Sequence, residues 1–147
     1  MVDITLISGS TLGSAEYVAE HIADQLETEG YAANVLHGPD LEALPLSGIW
    51  LMVTSTHGAG ELPENLQPLF EQIKQQRPDL SQVSFGAIGI GSSEYDTFCR
   101  AIDTVDRDLI AFGAKRIGDI LRIDITQHEI PEDPAGVWAQ EWIKLLK

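Results

Sequence analysis

Three short apolar runs, Ile4 to Ile7, Ile49 to Val53 and Phe85 to Ile90, each give way on the carboxyl side to a segment built mostly of small and hydroxyl residues. Runs that are apolar at successive positions are the mark of strands covered on both faces, as in a parallel sheet. Helical patterns separate them. Tyr17, Val18, Ile22, Ala23 and Leu26 recur at helical spacing, with Gly30 as the C-terminal stop. A helix is predicted from about Asn65 to Gln76, with Pro68 tolerated in its first turn and Pro78 beyond its end. Phe98, Ile102, Val105 and Leu109 mark another helix, closed by Gly113. Asp133 and Pro134 read as an N-cap and first helical residue, opening a last helix that turns Val137, Trp138 and Trp142 inward. Ala32 to Leu36 is a weaker strand whose Asn34 suits a sheet edge, Pro39 to Ser47 is a loop, and the last strand covers roughly Arg116 to Ile123. Five strands thus alternate with helical segments. That pattern predicts an α/β fold, a five-stranded parallel sheet with helices on both faces, with ligands at the carboxyl ends of the strands.

The 147 residues suit one domain, and no stretch approaches the ~18 successive apolar residues that a membrane span requires. The N-terminus reads as a first strand and carries no secretory pattern. A lone cysteine, Cys99, has no partner for an internal disulfide, so the expected compartment is the cytoplasm. Nine basic against 23 acidic residues leave a formal charge of -14, which argues against nucleic acid and suits either simple solubility or a basic protein partner.

The first glycine and hydroxyl segment, Ser8-Gly9-Ser10-Thr11-Leu12-Gly13-Ser14, lies between a strand and a helix, where backbone N–H groups and hydroxyls can hold an anion. It has no lysine, unlike a Walker loop, and Gly9 and Gly13 do not fit the dinucleotide Gly-x-Gly-x-x-Gly spacing. With the two later segments, Ser55-Thr56-His57-Gly58-Ala59-Gly60 and Gly91-Ser92-Ser93-Glu94-Tyr95-Asp96-Thr97-Phe98, it resembles the phosphate loop and the two isoalloxazine loops of the flavodoxin family. The resemblance covers essentially the whole chain and is strongest to small stand-alone members. The second loop looks more like that of diflavin reductases than that of bacterial electron-transfer flavodoxins.

This resemblance implies the sheet order 2-1-3-4-5 and an FMN cofactor. Its phosphate falls on Ser10, Thr11, Gly13 and Ser14 and on the backbone of Leu12 and Ala15. The ring falls among Ser55, Thr56, His57, Gly58, Ala59, Gly60, Gly91, Ser92, Tyr95 and Phe98, with Asp124 near the flavin. Tyr95 would stack on the outer face. His57 departs from the family pattern by standing where diflavin reductases carry an aromatic, and Gly58 would let a carbonyl turn toward the ring. The implied role is a low-potential, single-electron carrier, expected to be a monomer, between a separate flavodoxin reductase-type donor and a basic-surfaced acceptor. The small stand-alone members imply that this acceptor acts in biotin synthesis.

Simpler roles compete for several residues. Tyr95 can begin a helix and pack on the core, His57 can be an ordinary turn residue, and Cys99 reads as a small buried side chain. Trp50, Trp138 and Trp142 read as core. Glu129, Glu132 and Asp133 read as a solvated loop and cap, against a metal site that would need His128. An FMN-dependent quinone or azo reductase is a second functional reading, weakened by the shortness of the loops. A response-regulator module is a third, but it needs aspartates where the strand ends carry Ser8-Gly9 and Thr54-Ser55.

Overall fold

The computed structural model describes residues 3–9, 14–55, 62–92, 99–127 and 130–146. Six strands form one parallel sheet: β1 (Asp3–Gly9), β2 (Ala32–His37), β3 (Gly48–Ser55), β4 (Val83–Gly91), β5 (Lys115–Arg116) and β6 (Leu121–Asp124). The order is β2-β1-β3-β4-β5, with β6 also on β4. β5 and β6 are two pieces of one outer strand, so the predicted order stands and the predicted continuous strand from Arg116 to Ile123 does not. Four helices cover the sheet, α1 (Ser14–Thr28), α2 (Gln67–Gln76), α3 (Arg100–Ala111) and α4 (Glu132–Leu145). The loop predicted after β2 contains a 3-10 turn, Leu41–Ala43.

The strands are apolar throughout because successive side chains serve opposite cores. Ile7, Trp50, Met52, Phe85 and Ala87 face Leu69, Phe70 and Ile73 of α2 and Ile102, Val105 and Leu109 of α3. Ile4, Leu6, Leu51, Val53 and Ile88 face Val18, Ile22 and Leu26 of α1 and Ala139, Trp142 and Ile143 of α4. β4 is thinned on both sides to admit the helices. A β-carbon on Gly86 would stand 2.6 Å from the Trp142 ring, and one on Gly89 would stand 2.5 Å from Ile102.

Helix faces account for two departures from the sequence reading, and a helix boundary for a third. Tyr17 is 65% exposed, since one residue before Val18 is a turn of about 100° away from the buried stripe. Val137 is 66% exposed for the same reason, being one residue past the buried Gly136. α4 starts at Glu132 with Pro131 as N-cap and no side-chain cap bond, so Asp133 lies within the first turn rather than capping it. Trp50 and Trp142 are buried as expected, and Trp138 is half-buried with its ring stacked on Trp142 at 5.5 Å. Pro68 falls in the first turn of α2, as predicted.

Candidate functional site

Because every strand is parallel, the strand ends line up along one edge. Gly9 pairs in register with Thr54, Ser55 with Ile90, and Gly91 with Asp124. The chain leaves β1 through α1 to β2 on one side, then returns to β3 on the other. The edge between β1 and β3 is therefore the point where strand order reverses, the usual ligand crevice of an open α/β sheet.

The residues at this edge are small for packing reasons as well. A β-carbon on Gly9 would come within 2.8 Å of Cβ of Leu66, a fully buried residue just before α2. Gly38, at φ +57, lies against the backbone of Asn65, whose oxygen would be 2.6 Å from an added β-carbon. The segment preceding α2 thus braces the ends of both β1 and β2. Ser14 is the first residue of α1 and Ala15 is fully buried, which brings the N-terminus of a 15-residue helix to the edge. The partial positive charge of such a terminus favours an anion.

Ser55 and Ser92 are half-buried at the ends of β3 and β4. Thr54 is fully buried, and its hydroxyl donates to the Ser55 carbonyl at 2.9 Å. Asp124 is 9% exposed. Its Oδ1 accepts from the Thr126 amide at 3.0 Å and from the Thr126 hydroxyl at 2.7 Å, while the Ile125 amide donates to the Gly91 carbonyl at 2.9 Å. Asp124 is therefore both at the edge and the organiser of the turn beyond it. Of the residues predicted from sequence, Ser14, Ala15, Ser55, Gly91, Ser92 and Asp124 converge here. Ser10, Thr11, Leu12, Gly13, Thr56, His57, Gly58, Ala59, Gly60, Tyr95 and Phe98 lie outside the described residues.

Sequence reading placed Ser8 in the first glycine and hydroxyl segment but missed its contact with His37. Ser8 pairs in register with His37, and its fully buried hydroxyl is hydrogen-bonded to His37 Nδ1. His37 Nε2 lies 3.6 Å from the Glu20 carboxylate on α1. Three elements meet one residue before Gly9. The signal was absent from the sequence because only the β1–β2 register brings residues 29 positions apart into contact.

Cys99 is fully buried before α3, its Sγ 3.9 Å from the Ile123 carbonyl. Burial pushes the thiol up to about 12, against which the nearby Arg122 acts only in part. It packs in the core with Ile102 and Val105. Glu132 and Asp133 sit in the first turn of α4, where negative charge suits the helix dipole. Among the described residues there is no group of His, Cys, Asp and Glu arranged to hold a metal, and no helix long and apolar enough to cross a membrane.

A parallel sheet of this order, with small and hydroxyl residues along its carboxyl edge and a long helix starting at the crevice, defines an α/β protein of the flavodoxin type. A sequence model of the family described as Flavodoxin matches residues 6–138, and the chain belongs to that family. It is 61% identical to Protein MioC of Escherichia coli over 147 residues, the whole of both chains. It is also 34% identical to Flavodoxin YqcA of Escherichia coli, covering 99% of each. Among solved structures, a cysteine-to-serine mutant of flavodoxin from Pseudomonas aeruginosa superposes with a TM-score of 0.91 at 36% identity, over 98% of each chain. The family resemblance read from the three loops, and the likeness to small stand-alone members, are both upheld.

Proposed function

We propose that the chain is a single FMN-binding domain that carries electrons at low potential between separate protein partners. The observation that carries this reading is the convergence of three glycine and hydroxyl loop stems at the strand-order reversal of a flavodoxin-family sheet. The donor set fits the group. No Lys or Arg lies near the first loop in sequence, so the phosphate would be held by the hydroxyls of Ser10, Thr11 and Ser14, by backbone N–H groups from Leu12 to Ala15, and by the α1 terminus. Residues 55–60, Gly91, Ser92, Tyr95, Phe98 and Asp124 would enclose the ring.

When bound, FMN supplies reversible electron transfer, and the protein supplies position and electrostatics. The charge of -14 disfavours added electrons on the ring. Each unit charge about 10 Å away contributes only roughly 0.4 kcal/mol in a water-like medium, so the low potential would come from many carboxylates acting together. An acidic surface also steers association with a basic reductase and a basic acceptor, for which a partner in biotin synthesis is proposed. The proposed setting is the cytoplasm.

The test is the visible spectrum of the purified protein, with anaerobic reduction. The expected result is flavin absorption, one FMN per chain, and loss of binding by at least about 100-fold in Thr11→Asp, where a carboxylate opposes the phosphate. A protein that takes up no FMN rejects the reading.

A further inference from the structure

We infer that His37 is a positioning residue for the FMN phosphate loop, acting through Ser8 and supplying a positive charge that the first half of the chain otherwise lacks. This rests on the cofactor reading above. None of the nine Lys and Arg residues precedes Lys74, whereas 11 of the 23 acidic residues do. In the first 73 residues the only side chains able to become cationic are His21, His37 and His57. Of these, His37 is tied to the strand that enters the first glycine loop, through the bond between its Nδ1 and the Ser8 hydroxyl.

The chain of contacts has two protonation patterns. In the neutral tautomer that carries its proton on Nε2, toward the Glu20 carboxylate 3.6 Å away, Nδ1 accepts the Ser8 O–H. With a charged ring both nitrogens donate, so Ser8 Oγ must accept and its proton turns away from the ring. Ser8 is fully buried, and its proton must then find an acceptor inside the protein, one residue before Gly9. Charging His37 thus does two things at the base of the loop: it adds a cation and it releases a hydroxyl donor.

The surroundings are acidic. From α1, Glu20 faces the ring, with Glu16 and Asp24 one turn to either side in sequence. β1 contributes only the neutral Ser8. Beyond β2, Asp40 accepts a hydrogen bond from Gln72 at 3.1 Å, and Glu64 precedes the Asn65 that packs on Gly38. Residues 10–13 carry no ionisable side chain. A phosphate dianion held at the loop would attract the charged ring over the neutral one. By linkage, a charged His37 must in turn favour the phosphate.

The test measures FMN affinity from pH 8 to pH 5.5 for the full chain and for His37→Asn, whose amide oxygen can accept from Ser8 but never becomes charged. FMN phosphate itself takes up a second proton near pH ~6, which affects both proteins alike, so the quantity read is the ratio of their affinities. The ratio is expected to move at least about threefold in favour of the natural protein as pH falls through the range where histidine ordinarily titrates. A second readout uses the natural protein alone. The ring signal of His37, followed by NMR among the four histidines, should titrate at a higher pH with FMN than without it. A flat affinity ratio, or a His37 titration that FMN leaves in place, overturns the inference while the cofactor reading stands. Failure of the natural protein to bind FMN at any pH overturns both.

Discussion

At Cys99, position in the fold decides chemistry. The thiol is fully buried, and burial raises it from an ordinary value of 9.0 to about 12. A group that titrates higher when folded stabilises the fold while it stays protonated. That contribution is complete below pH 9 and is lost as pH rises from there through about 12. The natural protein should therefore lose thermal stability more steeply than Cys99→Ala across that window, as read by melting temperature against pH. At pH 8 a thiol reagent should label Cys99 only upon unfolding, and Cys99→Ser should keep the flavin spectrum. The burial of Cys99 was legible because it lies beside an apolar helical stripe. The exposure of Tyr17 and Val137 was not, since each is apolar and adjoins buried positions. A helix buries by angle and not by residue type, so one position of phase error reverses the reading. Ser8 and His37 were hidden for a different reason, because their meeting depends on strand register, which no local pattern encodes.

The elements show where local pattern is sufficient and where it fails. The doubly apolar β3 and β4 announce a buried parallel sheet, and the glycines of β4 announce close helix packing. Gly86 is the sharpest case, since the Trp142 ring fills the space of a side chain while its Nε1 donates to the Ile117 carbonyl at 3.0 Å. Gly86→Ala should destabilise by about 1–3 kcal/mol through overpacking between a central strand and an anchored ring, measured by denaturant unfolding. An unchanged midpoint would mean that α4 shifts freely, contrary to the anchoring bond. The outer strand was read as continuous because its interruption leaves the face pattern intact. Phe85 pairs with Arg116 and Ile88 with Leu121, so three steps along β4 correspond to five along the outer strand. Two additional residues loop out around Gly118, at φ +75. An insertion of two preserves which way each side chain points, and only an odd insertion would have broken the alternation.

On the scale of the molecule, charge is divided unevenly along the chain. The first 73 residues, which include β2, β1, β3 and α1, hold 11 acidic residues and no Lys or Arg. Among the described residues, every ion pair made by Lys or Arg joins residues from Lys74 onward, as in Lys74–Asp108, Arg116–Asp106 and Arg122–Asp103. Among the described residues, the first 73 make no such pairs to offset their repulsion. Salt should then act in opposite directions on the protein and on its complexes. Screening shortens from about 30 Å at 0.01 M to about 8 Å at 0.15 M, which relieves repulsion between carboxylates and also weakens attraction to a basic partner. For the FMN-saturated protein, raising NaCl over that range should increase the melting temperature by several degrees, since about 1 kcal/mol corresponds to roughly 2–4 °C in a chain of this size. Over the same range the association rate with a basic flavodoxin-type reductase should fall by about tenfold or more. The two measurements separate the causes. A melting temperature that stays flat while association slows would confine the effect of the acidic residues to docking. A melting temperature that falls with salt would mean that ion pairs such as Arg116–Asp106 outweigh the repulsion, and the uneven charge would then have no consequence for stability.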